Sequence, residues 1–158
     1  MVQIWFMEPY PWGDPRLPHH VHPPKMINAE QLKDKTGTVY HRVDTTDLIN
    51  MSKRITMMKL DKGFNKEDNF VLDASKAQAT SFLDKLTEMF EETDFEEDEA
   101  RLVVEGACYF DLETVDGEWV RVLAEHGDLL IFPAKHQHRF TTTPKNFVKM
   151  RRFFKVEE

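Results

Sequence analysis

The side chains able to bind a metal or move a proton fall into a few groups along this chain. His19, His20 and His22 stand together in "HHVH", His41 stands alone in "TVYHRV", and His126, His136 and His138 flank the apolar run "LLIF". Between these groups lies "FEETDFEEDEARLVVEG", residues 90–106, where a dense acidic run meets an apolar stretch and ends on glycine. Imidazole suits iron, nickel or zinc, whereas carboxylates alone favour magnesium, calcium or manganese. Several of the histidines have a plainer use: "HHVH" lies among prolines and reads as a solvated arm, and His41 reads as an ordinary partly buried side chain. The stretch "GDLLIFPAKHQHRF" is more specific, since Gly127, Pro133 and His138 mark a strand that turns tightly and then presents an imidazole from the next strand. The single cysteine, Cys108, sits in an alternating apolar stretch and is expected to be a buried small hydrophobe, with no partner for nucleophilic use.

Elements of two kinds must position these groups. "PYPWGDPRLPHHVHPP" is too rich in proline for a helix or a central strand, so residues 1–27 are expected to form an extended arm lying on the domain. Asn28 stands three residues before Gln31, the spacing of a capping box, and opens a short helix that Gly37 ends. "TVYHRV" follows as a strand. In "AQATSFLDKLTEMFEE", residues 77–92, Phe82, Leu83, Leu86, Met89 and Phe90 recur at helical spacing and are expected to pack in the core. Beyond them come six short strands, "RLVVE", "ACYFDLE", "EWVRVLA", "DLLIF", "HRFTTT" and "FVKMRRFF", with a hairpin turn at Asp116-Gly117. That succession predicts a mainly β protein with a few helices, an antiparallel sandwich or barrel.

With 158 residues the chain is expected to form one domain, residues 1–158. Its 21 basic and 28 acidic side chains leave a net charge of −7, which disfavours nucleic acid and anionic membranes as partners. One cysteine cannot form an internal disulfide, and no apolar run approaches the ~18 residues of a membrane span, so a reduced, soluble protein is expected.

The spacing of Gly127, Pro133 and His138 resembles the second cupin motif, and Glu99 with Gly106 resembles the end of the first. Within the cupins the chain is most similar to the acireductone dioxygenases of methionine salvage. The likeness starts at "MVQIWFM" and "GDPRLPH", continues through "EQL", "MFEE", "DEAR" and "GACYFDLE", and reaches "EWVRV", "HRFT" and "KNF". It implies a cupin-type β-barrel, the double-stranded β-helix or jelly roll. It also implies a metal-dependent reaction, with iron or nickel, that cleaves acireductone with oxygen to formate and 4-methylthio-2-oxobutanoate. Cytoplasm, and nucleus as well, are the locations it implies, and a monomer is expected. The family continues past "RRFF" into a segment bearing a pocket tryptophan, whereas this chain stops at Glu158.

The resemblance also implies a damaged site. The first motif of the family reads His-x-His-x3-Glu, and alignment through Glu99 and Arg101 puts Thr93 and Phe95 at the two histidine positions. Glu99 and His138 match the remaining ligands, Arg101 the arginine that approaches the anionic substrate, and Phe140 an aromatic near the pocket. Lys135 replaces the glycine that the cupin pattern has in its turn. Non-haem iron chemistry uses about three protein ligands, so two fall short. If four ligands together are worth ~10–16 kcal/mol, as for structural zinc, losing two costs ~6 kcal/mol, or about four decades of affinity. Phe95 is further expected to fill the space of metal and substrate.

The leading expectation is therefore an inactive homologue of acireductone dioxygenase. One alternative is a working dioxygenase with a relocated site. On a strand Thr93, Phe95, Glu97 and Glu99 share a face, which brings Glu97 beside Glu99, and His136 turns inward next to His138. The other is a non-catalytic cupin that binds a small anion, provided the cavity is open, or a protein.

Overall fold

The computed structural model describes residues 2–76 and 78–157. The chain begins with β1 (Gln3–Met7), β2 (Met26–Ile27), α1 (Ala29–Thr36) and β3 (Val39–Arg42). α1 is set by its ends as the spacing predicts: Asn28 Oδ1 accepts from the Gln31 amide, Gln31 Oε1 accepts from the Asn28 amide, and Gly37 closes the helix at φ +76°. Next come α2 (Leu48–Lys62), β4 (Lys66–Asp73) and α3 (Ala79–Met89), then β5 (Glu99–Glu113), β6 (Trp119–Glu125), β7 (Asp128–Phe132), β8 (His138–Thr142) and β9 (Phe147–Phe154). Among the described residues no helix is long and apolar enough to cross a membrane.

"RLVVE" and "ACYFDLE" are not two strands but one, β5, which bends at Gly106. Gly106 has φ +75°, and a Cβ there would lie 2.3 Å from the Phe147 carbonyl oxygen, so a side chain has neither the conformation nor the room. A bulge between Val103 and Glu105 adds to the bend. As a result β5 belongs to two sheets. Its first half pairs with β7 and β9, giving the order β3-β7-β5-β9-β4; its second half pairs with β6 and β8, giving β2-β1-β6-β5-β8. All these pairings are antiparallel, as the sequence predicts.

Alternation along each strand sorts the side chains into layers. Cys108, Phe110, Leu112, Leu130, Phe132, Val148 and Met150 face the interior between the sheets, closed by Phe82 and Leu86 of α3. Leu102, Leu129, Ile131 and Phe153 face the other way and are covered by Ile55 and Met58 of α2. Within the apolar stripe of α3 Leu83 is a correction, because its side chain is 48% exposed. Ala77, the first residue of that stretch, lies outside the described residues.

The arm is more than an extended cover, since its ends are β1 and β2 of the sheet that also holds β6 and β8. Its middle lies over Trp5, Tyr109 and Trp119, with Trp5 Nε1 donating to the Pro18 carbonyl at 2.9 Å and the His20 ring stacked on Trp5 at 4.4 Å. Beneath it Arg121, Asp111 and Arg139 form a buried row across three strands. Arg121 donates to both Asp111 oxygens at 2.7 and 2.8 Å and to the Pro15 carbonyl at 2.8 Å, while Arg139 donates to the Pro9 carbonyl at 2.8 Å.

Candidate functional site

A cavity of about 390 Å³ opens between α3 and the inner faces of β4, β5, β8 and β9. Phe70, Phe110, Phe140, Met89 and Met150 make its walls, Arg101 and Arg152 supply its cations, and Glu88, Glu91 and Glu92 stand exposed at its mouth. Thr93, Phe95 and His138 complete it. The expectation that Phe95 fills the space of metal and substrate is corrected to part of it: its ring lies on His138, with centroids 4.1 Å apart, and against Phe132 at 5.8 Å, while the cavity stays open beside it.

Arg101 points inward because its neighbours Ala100 and Leu102 face the α2 layer. Its Nη2 donates to Glu99 Oε1 at 2.9 Å, its Nη1 to the Ala100 carbonyl at 3.1 Å, and its guanidinium lies 5.1 Å over the Phe95 ring. Burial pulls its pKa below the ordinary arginine value, and the Glu99 carboxylate opposes the shift. Arg152 of β9 is its cross-strand partner, so two like charges stand opposite each other, an arrangement that repels unless compensated. Compensation comes from β4, where Asp68 accepts from Arg152 Nε at 2.7 Å and Nη2 at 2.8 Å. The Arg152 guanidinium in turn lies 4.8 Å over the Phe70 ring.

His138 opens β8, and its amide donates to the Thr93 carbonyl at 2.8 Å while the Thr93 amide donates back at 3.1 Å. Its Nδ1 is buried without a hydrogen-bond partner, and burial lowers its pKa from 6.5, so the ring is neutral near pH 7. Thr93 and His138 therefore face each other at the positions the sequence brings together.

Glu97 and His136 do not join them. Residues 94–98 are loop, tied down by Lys135 N–H to the Phe95 carbonyl at 2.8 Å and Ala134 N–H to Asp98 Oδ1 at 2.9 Å, so the period of two stops at Thr93. Both Glu97 and His136 are exposed, and neither lines this cavity. Lys135 has φ +62°, the left-handed conformation that the missing glycine would favour. The other histidines are used locally, His41 Nδ1 accepting from Arg54 at 3.1 Å and His126 meeting Thr45 Oγ1. Cys108 is fully buried, and burial pushes its thiol pKa up.

The donors at hand do not fit iron or nickel. Glu99 is engaged by Arg101, Phe95 offers no donor atom, and among the described residues no group of three or more His, Cys, Asp or Glu side chains is placed to hold an ion. Sequence reasoning missed Phe70, Met89, Phe110, Met150 and Arg152 as cavity residues. Alternation in "FVKMRRFF" already puts Met150 and Arg152 on one face, but only the bend of β5 decides that this face lines a cavity.

Known proteins resemble this chain in sequence and in fold. The model of the ARD/ARD' family matches residues 3–158. The chain is 52% identical over 158 residues to "Probable inactive acireductone dioxygenase 2" of Caenorhabditis elegans, covering 100% of this chain and 99% of that protein. It is 34% identical over 154 residues to "Acireductone dioxygenase" of Drosophila pseudoobscura pseudoobscura, covering 98% of this chain and 81% of that protein. A solved structure, "Acireductone dioxygenase from Bacillus anthracis with cadmium ion in active center", superposes with a TM-score of 0.74 at 22% identity, over 100% of this chain and 95% of that one, and so shares the fold. On the family match and these relatives together, the chain belongs to the ARD/ARD' family.

Proposed function

We propose that this chain is a non-catalytic member of the acireductone dioxygenase family, a cupin that has kept the cavity and lost the metal chemistry. One observation carries the reading: Glu99, matched by resemblance to a metal ligand, is instead the counter-ion of Arg101 at 2.9 Å, while the position two residues beyond Thr93 holds a phenyl ring stacked on His138. A carboxylate so engaged and one neutral imidazole leave too few donors for a transition ion. The Caenorhabditis elegans relative at 52% identity, named as a probable inactive acireductone dioxygenase, supports it.

What remains can bind but not oxidise. Arg101 attracts an anion only by giving up Glu99, and the aromatic walls take an apolar group. The family likeness further supports a cytoplasmic and nuclear location and a monomer, which fractionation and gel filtration test.

The decisive experiment loads the protein anaerobically with iron(II), nickel(II), cobalt(II) or manganese(II), removes free metal, and measures metal content together with oxygen uptake on acireductone. The expected result is far less than one metal per chain and no uptake above the protein-free rate. Stoichiometric metal with turnover at ordinary enzyme rates, about 1–10³ per second, would refute the proposal.

A further inference from the structure

The cavity carries its charges in an order that matters for any ligand. Two guanidiniums line it, each already neutralised: Arg101, largely buried, by Glu99 at 2.9 Å, and Arg152, partly exposed, by Asp68 at 2.7 and 2.8 Å. At the mouth the order is reversed. Glu88, Glu91 and Glu92 are exposed, and among the described residues none of them forms an ion pair. Lys85, the cation of α3 closest to the aromatic wall, lies 5.8 Å over the Phe70 ring and does not line the cavity. An entering ligand thus meets three carboxylates outside any ion pair first, then an apolar chamber whose lining cations are already paired.

From this we infer that the cavity takes an amphipathic organic cation, with an aromatic or aliphatic body inside and an ammonium group at the mouth, and that it discriminates against the anion of the same shape. The inference rests on the non-catalytic reading above. A volume of about 390 Å³ lies within the ~300–1,000 Å³ of small-molecule pockets, and the walls of phenylalanine and methionine suit a ring. The aromatic faces tolerate positive charge, since the guanidiniums of Arg101 and Arg152 already lie over Phe95 and Phe70. A carboxylate has two routes, and both are unfavourable. It remains at the mouth against three like charges, or it displaces Glu99 or Asp68 from a formed ion pair. An ammonium at the mouth displaces nothing.

Two probes that share a phenylethyl body and differ in the sign of the head group test this, 2-phenylethylamine and 3-phenylpropionate, titrated at pH 7 into the full chain. Binding is read by the methyl resonances of Met89 and Met150, which report the chamber itself. The expected result is perturbation of both methyls by the amine, with an affinity at least about tenfold above that of the carboxylate and falling between about 0.02 and 0.2 M salt. The exposed double variant Glu91→Gln/Glu92→Gln, whose fold is checked by its unaltered spectrum elsewhere, is expected to reduce that preference severalfold. Equal or tighter binding of the carboxylate, no perturbation by the amine, or an unchanged preference in the double variant overturns the inference. A metal-free, inert chain that prefers the carboxylate would sink this inference alone. A chain that loads metal and consumes oxygen would sink the non-catalytic reading instead.

Discussion

At the scale of single residues, the site turns on what stands opposite what. The Phe95 ring lies against the His138 ring, and Thr93 is paired to His138 through the backbone, so imidazoles placed at 93 and 95 would stand beside His138. Thr93→His with Phe95→His is expected to raise nickel affinity by about two decades or more, measured by competition with a chelating dye. Asp68 offers a second test. Its hydrogen bonds to Arg152 hold its pKa below 3.8, so its stabilising effect is present above that value and is lost as pH falls through the lower, folded-state pKa. Because the pair is partly exposed, Asp68→Asn is expected to cost only about 0.5–1 kcal/mol at pH 7, with the difference vanishing in urea titrations at acid pH. The same variant releases Arg152 and is expected to strengthen 3-phenylpropionate binding.

At the scale of elements, two left-handed positions carry opposite expectations. Gly106→Ala puts a methyl group against the Phe147 carbonyl at φ +75° and is expected to destabilise the fold by about 2–3 kcal/mol in urea unfolding. Lys135→Gly relieves a left-handed lysine in the turn before β8, and is expected to stabilise by about 0.5–1 kcal/mol once the greater chain entropy of glycine is subtracted. Both residues were marked by the sequence, since each sits at a motif position where the cupin pattern has glycine. α1 was equally legible, because its caps are local. α2 was not: along fifteen residues it buries only Ile55 and Met58, so no broad apolar stripe announces it, although Asp47 caps one end and Gly63 the other.

At the scale of the whole molecule, the arm is fastened by charge taken out of water. Arg121 and Arg139 flank Asp111 on the outer face of the β2-β1-β6-β5-β8 sheet and hold the carbonyls of Pro15 and Pro9. Asp111→Ala leaves two buried guanidiniums without a counter-charge, and is expected to cost about 3–5 kcal/mol and to speed tryptic cleavage after Arg16, followed by mass spectrometry. The residues alone settled whatever depends on neighbours in the chain: caps, alternation, the bend glycine, the motif spacing and with it the family. Folding in space settled whether an inward side chain is free. Arg152 and Asp68 lie 84 positions apart and meet only because β4 and β9 pair, whereas Glu99 and Arg101, two residues apart on β5, share a face by alternation alone. Charge neutralisation acts over a few ångströms of space rather than along the chain, so the sign of the field a ligand meets appears only when the strands are assembled.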